Sequence, residues 1–244
     1  ILIATKGGRH IESNRVNEKD FSSDFLKKDL DNSLKRLGMN RVFLYQLHNP
    51  NLKTIKEGKV FELLELFRNE SKIEWYGISI DHPEEGIAAI EYCNGKELKG
   101  LAAIQIIYNL VQKKGLDLLF ELANKNKIAI IARETLLRGF LAGKYSETIN
   151  FENCSEAVKK QIQLFGKNQI LSKVREVKKI VDEQNIKSMS RFAIKFAISN
   201  KNVTVAIPGI NRLEYVKSDL DSAELEIDNL ALNEIENISD LEKC

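Results

Sequence analysis

The sequence predicts an α/β fold of the (β/α)8 barrel type, the TIM barrel, in which every strand is parallel. Six short apolar segments alternate with amphipathic helical segments along the 244 residues. The strand–helix unit repeats roughly every 30 residues, which favours right-handed crossovers and a parallel sheet. Because a closed barrel of this kind needs eight strands, the sequence predicts an incomplete barrel with six strands present and two βα units absent.

The predicted strands are rich in Ile, Val and Leu and lack strict alternation, as expected for strands buried on both faces of a parallel sheet. They cover residues 1–5, 42–47, 73–79, 101–107, 128–132 and 203–207. The first predicted helix has Ser22 or Ser23 as its N-cap and Gly38 as its stop signal. Pro83 begins another helix, at a position where its missing N–H has no helical partner. Further helices centre on residues 60–67, 119–123, 170–181 and 192–198.

The chain is predicted to be a single domain over residues 1–244, because it contains no low-complexity tract and no Gly/Ser linker. The polar stretch 146–168 is predicted to be a surface excursion between two barrel units. The sequence opens on an apolar β-forming run without an initiator Met. A six-stranded remnant would also leave open apolar edges, which proteins avoid. We therefore expect the N-terminal quarter of the barrel to be missing from this sequence.

Composition restricts the class of partner. A formal net charge of +2 gives no reason to expect a nucleic acid or an anionic membrane. No apolar run approaches the roughly 20 residues that span a bilayer. The three cysteines are widely spaced without a C-x-x-C pair, which is typical of reduced thiols in a cytoplasmic protein. Three histidines and no paired carboxylate spacing predict no metal site.

Polar residues follow each predicted strand, at the barrel end where active sites lie. They are Lys6, His48, Ser79, Gln105, Arg133 with Glu134, and Pro208 with Gly209. A lysine held in a barrel mouth can lower the pKa of a neighbouring acid or form a Schiff base. A histidine at a strand end can donate to a substrate carbonyl. The turn around Gly209 precedes a predicted helix, whose N-terminus is suited to a phosphate.

These segments, in this order, resemble the aldo-keto reductase family over nearly the whole chain. ILIATKGG is similar to the third-strand motif that ends in the catalytic lysine, and SLKRLGMNRVFLYQLHNP to the signature that ends in the catalytic histidine. IEWYGISI and IQIIYN resemble the fifth and sixth strands. RETLLRGFLAGKY resembles the seventh strand with its phosphate loop, and VAIPGINRLEYVKSDL the last strand with the adenine-side helix.

The resemblance implies an oxidoreductase that reduces an aldehyde or ketone to an alcohol by hydride transfer from NADPH. Lys6 and His48 then belong to a tetrad whose aspartate and tyrosine match no position of these 244 residues. Tyr45 and Tyr108 lie in strands that match other positions, so the tyrosine role does not move to them. We therefore expect these residues alone to be inactive, and a small carbonyl compound to be the partner of the active protein.

The resemblance also implies a set of cofactor-binding residues. Ser79 and Gln105 match the positions that hold the nicotinamide carboxamide, and Arg133 stands where an aromatic ring often stacks on the nicotinamide. The pyrophosphate loop is matched by Leu136, Gly139 and Lys144. The adenosine-phosphate region is matched by Gly209, Asn211, Tyr215, Ser218 and Asp219, with Arg212 as the expected partner of the 2′-phosphate. Tyr215 and Asp219 depart from the residues usual in the family, which leaves the choice between NADPH and NADH open.

Two other functions are compatible with the same residues. A barrel aldolase or lyase would use Lys6 as a Schiff base, and borohydride would trap its substrate on that lysine. A non-catalytic, nucleotide-binding regulatory member of the family would bind a nucleotide without turning over a carbonyl. The sequence does not identify the substrate or the oligomeric state.

Overall fold

A computed structural model of the chain describes residues 1–10 and 18–244. Over those residues the chain forms six strands and ten α-helices in the alternating order that the sequence predicts. The α/β fold with six parallel strands is confirmed. Two compact units can be distinguished: one comprises Ile1–Ile106 and Gly115–Ile130, the other Ile107–Lys114 and Ile131–Cys244. The single-domain assignment remains a prediction.

The first unit is a parallel sheet with helices between its strands. Its elements are β1 (Ala4–Gly7), α1 (Ser23–Leu37), β2 (Val42–His48), α2 (Leu52–Glu57), α3 (Lys59–Asn69), β3 (Ile73–Ser79), α4 (Pro83–Gly95), β4 (Leu101–Ile107) and α5 (Asp117–Lys125). Strands β1 to β4 lie side by side in chain order, each parallel to the next. β3 and β4 have the predicted bounds, whereas β1 begins three residues later than predicted.

Helix ends in the first unit follow the sequence signals. The Ser22 hydroxyl accepts a hydrogen bond from the Phe25 amide, and Gly38 ends α1 in the left-handed conformation with φ +65°. Pro83 begins α4 as predicted. Helix α2 was not predicted, although Asn51 caps it by accepting from the Thr54 amide at 2.9 Å.

One face of the first sheet is covered by helices. Tyr45 of β2 is fully buried and meets Phe67 of α3 edge-on, with 6.5 Å between ring centres. Glu65 of α3 accepts hydrogen bonds from the Tyr76 hydroxyl and the Gly100 amide at 3.0 and 2.8 Å. These contacts fasten α3 to β3, so this face of the sheet is structural.

The second unit contains the end of β5 and most of the later helices. Its elements are β5 (Ala129–Arg133, from Ile131 onward), α6 (Glu156–Phe165), α7 (Lys167–Glu183), α8 (Met189–Ser199), β6 (Val205–Ala206), α9 (Leu213–Asp221) and α10 (Asn229–Asn237). β5 and β6 pair in parallel. The predicted strand 203–207 was too long, because Val203 closes a turn on the Asn200 carbonyl and Pro208 has no N–H to donate.

The polar stretch 146–168 is more ordered than predicted. It contains α6, which is capped by Ser155 and buries Val158, Ile162 and Phe165. The predicted surface excursion therefore contains a packed helix, because these apolar residues recur at helical spacing and bury one face of the segment.

The C-terminal residues of the second unit are tied to the loop that follows β4. Asp240 accepts hydrogen bonds from the backbone amides of Lys113 and Lys114 at 2.6 and 2.8 Å, and it contacts the Lys113 ammonium at 3.3 Å. The Lys113 side chain is only 2% exposed and also donates to the Ile238 carbonyl at 2.8 Å. A buried ammonium is stable only with such partners, so this clamp is part of the core.

Three further properties concern the described part of the chain. No helix there combines the length and the apolar character needed to cross a membrane. Residues 1–10 and 18–244 contain no group of three or more His, Cys, Asp or Glu arranged to hold a metal ion. Cys93 is buried, which raises the pKa of its thiol to about 12, and Cys154 and Cys244 are also free thiols.

Candidate functional site

The strand register of the first unit places four predicted site residues on one face of the sheet. Lys6 is opposite Gln46, and His48 is opposite Ser79, which is opposite Gln105. Paired residues of adjacent strands point to the same face, as do residues two apart in one strand. Lys6, His48, Ser79 and Gln105 therefore share the face opposite to the one that α1 and α3 cover.

A glycine allows the middle strands to approach closely beneath these residues. A Cβ added to Gly77 would lie 2.5 Å from the Ala103 carbonyl oxygen, and the β3–β4 register shifts at this point. Backbone atoms cannot yield to such a contact, so β3 requires glycine here. The close approach of Gly77 to Ala103 determines that Ser79 pairs with Gln105, two residues further along each strand.

Gln105 has an unsatisfied polar atom. The residue is 3% exposed, and its side-chain Oε1 has no hydrogen-bond partner among the described residues. A buried acceptor without a donor is unfavourable. The atom is therefore available to a ligand that supplies an N–H group. A primary carboxamide supplies that donor, together with an acceptor for a neighbouring hydroxyl such as that of Ser79.

The end of β1 is fixed from the helix-covered face. The Gly8 amide donates to Asp29 Oδ2 of α1 at 3.0 Å. A Cβ on Gly7 would lie 1.7 Å from the Tyr45 hydroxyl oxygen, so only glycine fits there. Burial is the main cause of the raised pKa of Tyr45, and the nearby Asp29 carboxylate raises it further. Burial also raises the pKa of Asp29. The half-buried Lys6 is thus followed by a backbone segment held in one position.

The end of β2 is also fixed. His48, half-buried, is followed by Asn49, whose φ is +57° although it is not glycine. The Asn49 amide donates to the Ser79 carbonyl at 2.9 Å, and the Lys19 ammonium donates to the Asn49 carbonyl at 2.8 Å. Asparagine adopts the left-handed conformation more readily than most residues, and these two hydrogen bonds hold Asn49 in it.

The tyrosines of the first unit do not lie on the Lys6 face. Tyr45 and Tyr76 are paired with each other in the register and point to the helix-covered face, and Tyr92 lies on α4. In the second unit, the Tyr108 hydroxyl accepts from Asn200 at 2.8 Å and its ring stacks on Phe196. Tyr45 therefore points to the face opposite Lys6, and the Tyr108 hydroxyl is hydrogen-bonded within the second unit.

The second unit presents two arginines around one carboxylate. Glu134 Oε1 accepts from Arg133 at 2.9 Å and from Arg138 at 2.6 Å. Asn109, fully buried, donates to the Glu134 carbonyl at 3.1 Å. Arg133 is the last residue of β5, one position beyond the predicted strand end, and Arg133 and Arg138 are both hydrogen-bonded to the same carboxylate.

The predicted phosphate loop has an unusual backbone. Glu134, Leu137, Arg138 and Gly139 all have positive φ, between +44° and +101°. The Lys144 amide donates to the Gly139 carbonyl at 3.2 Å, which closes the loop over a 3₁₀ turn, and Leu136 is half-buried at its start. Such a concentration of left-handed residues is typical of functional loops.

The remaining predicted residues lie between β6 and the end of α9, mostly on the surface. Gly209, Asn211, Arg212 and Tyr215 are exposed, whereas Ser218 and Asp219 are half-buried. Gly209 has no positive φ, and a Cβ there would meet nothing within 4 Å. The chain itself therefore does not require this glycine. Burial raises the pKa of Asp219, and Arg212 pairs with Glu214 at 3.4 Å.

The structure also reveals residues that the sequence did not single out. Gln46 lies beside Lys6 in the register, is 2% exposed, and has an Oε1 atom with no hydrogen-bond partner among residues 1–10 and 18–244. The sequence did contain a signal for Gln46, because a residue two positions before His48 on the same strand points to the same face. The left-handed Asn49 and its contact with Lys19 had no sequence signal, since asparagine adopts many conformations.

Polar residues lie at the ends of parallel strands in the first unit, and the second unit contains a glycine-containing loop and a helix, which together define an α/β protein of the kind with parallel strands. Comparison with known proteins gives the family. The aldo/keto reductase family profile matches residues 1–240, and the chain belongs to that family of oxidoreductases.

Individual relatives are distant. The NADP(+)-named aldo-keto reductase yakc of Schizosaccharomyces pombe is 24% identical, over 98% of this chain and 70% of its own length. The aldo-keto reductase YhdN of Bacillus subtilis is 24% identical, over 87% of this chain and 62% of its own length. Str7 of Strobilurus tenacellus is 26% identical, over 84% of this chain and 60% of its own length. The chain thus spans 60–70% of the length of these relatives.

Solved structures agree on the fold. The glycerol dehydrogenase of Gluconobacter oxydans superimposes with a TM-score of 0.77 at 23% identity, over 97% of this chain and 71% of that one. An aldo-keto reductase of Bacillus halodurans in its holo form gives a TM-score of 0.74 at 19% identity, over 98% and 73%. These similarities support the barrel assignment.

Proposed function

We propose that the native protein reduces an aldehyde or ketone to an alcohol with NADPH as the hydride donor. The observation that carries the proposal is the buried, unpartnered Oε1 of Gln105, on the same sheet face as Lys6 and His48. Family membership and the NADP(+) in the name of the yeast relative support the choice of cofactor.

Each residue of the first unit then has a defined task. Gln105 accepts a hydrogen bond from the nicotinamide carboxamide, and Ser79 at the paired position binds its other side. His48 donates to the substrate carbonyl oxygen and so stabilises the negative charge that develops there. Lys6 lowers the pKa of a general-acid tyrosine. Bound NADPH supplies the hydride.

The residues of the second unit contact the rest of the dinucleotide in this proposal. The resemblance assigns the nicotinamide-stacking position to Arg133 and the pyrophosphate to the loop with Leu136, Gly139 and Lys144. The adenosine end is bound by Gly209, Asn211, Tyr215, Ser218 and Asp219. Arg212 contacts the 2′-phosphate, and its rigid guanidinium suits that geometry.

The proposal includes an expectation for the 244 residues by themselves. Among the described residues of the first unit, Tyr45 and Tyr76 point away from the Lys6 face and Tyr92 lies on α4, and the resemblance matches the general-acid tyrosine to no position of these residues. We expect this polypeptide to show no carbonyl turnover. NADPH oxidation with simple aldehydes at rates typical of enzymes would contradict that expectation.

The experiment compares the native protein, as its gene encodes it, with its Lys6→Met variant. We expect NADPH-dependent reduction of a simple aldehyde by the native protein. Lys6→Met should abolish turnover and leave the Kd for NADPH within about threefold, because the lysine acts on the acid and not on the cofactor.

Two results would direct attention to the other functions. Borohydride trapping of a carbonyl compound on Lys6 would indicate a Schiff-base lyase. NADPH binding without any turnover by the native protein would indicate a regulatory member.

A further inference from the structure

A short two-stranded stem follows β1 directly. Arg9 and Lys19 form an antiparallel bridge, the His10 amide donates to the Glu18 carbonyl at 3.0 Å, and the Asp20 amide donates to the Gly8 carbonyl at 3.2 Å. We call residues 8–10 and 18–20 the stem. It begins two residues after Lys6, so its course depends on the end of β1.

The stem reaches the end of β2 through one side chain. Lys19 donates from its ammonium to the carbonyl oxygen of Asn49 at 2.8 Å. Hydrogen bonds with an ionised donor are shorter and stronger than neutral ones. Asn49 is 8% exposed, so its carbonyl has little access to water. Lys19 therefore satisfies a largely buried acceptor in the residue next to His48.

Asn49 is held through both of its backbone polar groups. Its amide donates to the Ser79 carbonyl and its carbonyl accepts from Lys19, while its φ of +57° is unfavourable for most residues. A change in this backbone turn would rotate the end of β2. The direction of the His48 side chain depends on that turn.

We propose that Lys19 is a positioning residue that fixes His48 through the Asn49 carbonyl. The inference rests on the proposed function, since it assigns Lys19 a task only if His48 acts on a carbonyl. Lys19 touches neither substrate nor cofactor in this proposal.

The end of the stem next to β1 is also fixed. Gly8 is fixed by Asp29 at 3.0 Å, and its φ of +94° together with the Phe21 ring, 2.2 Å from an added Cβ, permits only glycine. The stem therefore joins the anchored end of β1 to the end of β2. The separation between Lys6 and His48 is then determined by the stem as well as by the sheet register.

A purely structural role makes different predictions. Lys19 is exposed, and an exposed lysine contact contributes little to stability. If Lys19 only supported the fold, its loss would reduce stability and leave the kinetics of the folded protein unchanged. If Lys19 positions His48, its loss reduces kcat while the stability barely changes.

The experiment uses three variants of the native protein. Lys19→Met removes the donor, Lys19→Arg retains a charged donor, and Lys28→Met removes an exposed lysine of α1 as the matched control. Displacement of a catalytic group by a fraction of an ångström reduces turnover by about tenfold. We expect that loss of kcat in Lys19→Met, with the KM for NADPH within about twofold, partial recovery in Lys19→Arg and native kinetics in Lys28→Met.

A second measurement does not depend on turnover. In a ¹⁵N spectrum of the native protein, the imidazole resonance that disappears in His48→Gln identifies His48. The His48 resonance should shift in Lys19→Met and not in Lys28→Met.

The results separate this inference from the proposed function. An unmoved His48 resonance, or a kcat of Lys19→Met within about twofold of the native value, would overturn the role of Lys19. Absence of aldehyde reduction by the native protein would instead overturn the proposed function, and the His48 resonance would still report whether Lys19 fixes that residue.

Discussion

Replacing Gln105 with Met tests the proposed cofactor site, because it should increase the stability of the protein without cofactor and weaken cofactor binding. The Gln105 Oε1 is buried without a hydrogen-bond partner among the described residues. Methionine has a similar length and its thioether needs no donor. The substitution should therefore stabilise the protein without cofactor, although most buried substitutions destabilise.

The expected magnitudes follow from the burial of the amide. An unsatisfied buried polar group costs about 1–3 kcal/mol, and imperfect repacking offsets part of that, so we expect a gain of about 1 kcal/mol. A neutral hydrogen bond contributes about 0.5–1.5 kcal/mol. Its loss should weaken NADPH binding by about two- to twelvefold. Stability and cofactor affinity should therefore change in opposite directions.

The assay combines urea unfolding of the protein without cofactor and fluorescence titration with NADPH. Gln46→Met is the matched control, because Gln46 is also buried and has an Oε1 without a partner among the described residues. It differs from Gln105 in position, since it pairs with Lys6 in the strand register and lies two residues before His48. The Gln46→Met variant should gain stability and keep its NADPH affinity. If Gln105→Met loses stability, or if both variants lose affinity equally, the carboxamide contact is wrong.

Three other predictions follow from single contacts. Gly7→Ala should destabilise by about 1–3 kcal/mol through overpacking against the buried Tyr45 hydroxyl, whereas Gly95→Ala, where a Cβ meets nothing within 4 Å, should not destabilise in urea unfolding. Burial raises the pKa of Asp29 above its usual 3.8, so the folded state favours the protonated acid and the native protein loses this contribution as the pH rises through that pKa. The stability advantage of Asp29→Asn should then be larger at pH 7 than at pH 4, and an advantage independent of pH would contradict the sign. Arg212→Ala should weaken NADPH binding more than NADH binding in titrations, because only NADPH has the 2′-phosphate; an equal loss for both would remove Arg212 from that role.

The sequence predicted the fold well where its signals are local. β3 and β4 have the expected bounds, and the caps of α1 and the start of α4 lie at the expected residues. Strand ends were less accurate. The last strand is two residues long because the turn at Asn200 and the missing N–H of Pro208 limit its pairing. Helix α6 was missed although Ser155 and its apolar spacing were visible in the sequence.

The candidate site was predictable only in part, for a physical reason. Residues at strand ends can be read from the order of apolar segments, so Lys6, His48 and Ser79 were identified. Contacts between distant segments cannot be read in this way. The hydrogen bond from Lys19 to Asn49 depends on a left-handed backbone turn, and the unsatisfied Gln46 depends on which neighbours bury it.

The Asp240 clamp has a consequence for how the polypeptide is made. Lys113 and Asp240 are 127 residues apart in sequence, and the Lys113 ammonium is buried on contact with Ile238 and Asp240. During synthesis from the N-terminus, Lys113 leaves the ribosome long before its partners exist. The second unit therefore cannot complete its core until residues 238–241 have emerged. Contacts of such wide separation slow folding, and a version ending before Asp240 would leave the buried Lys113 ammonium without its carboxylate and should be less stable.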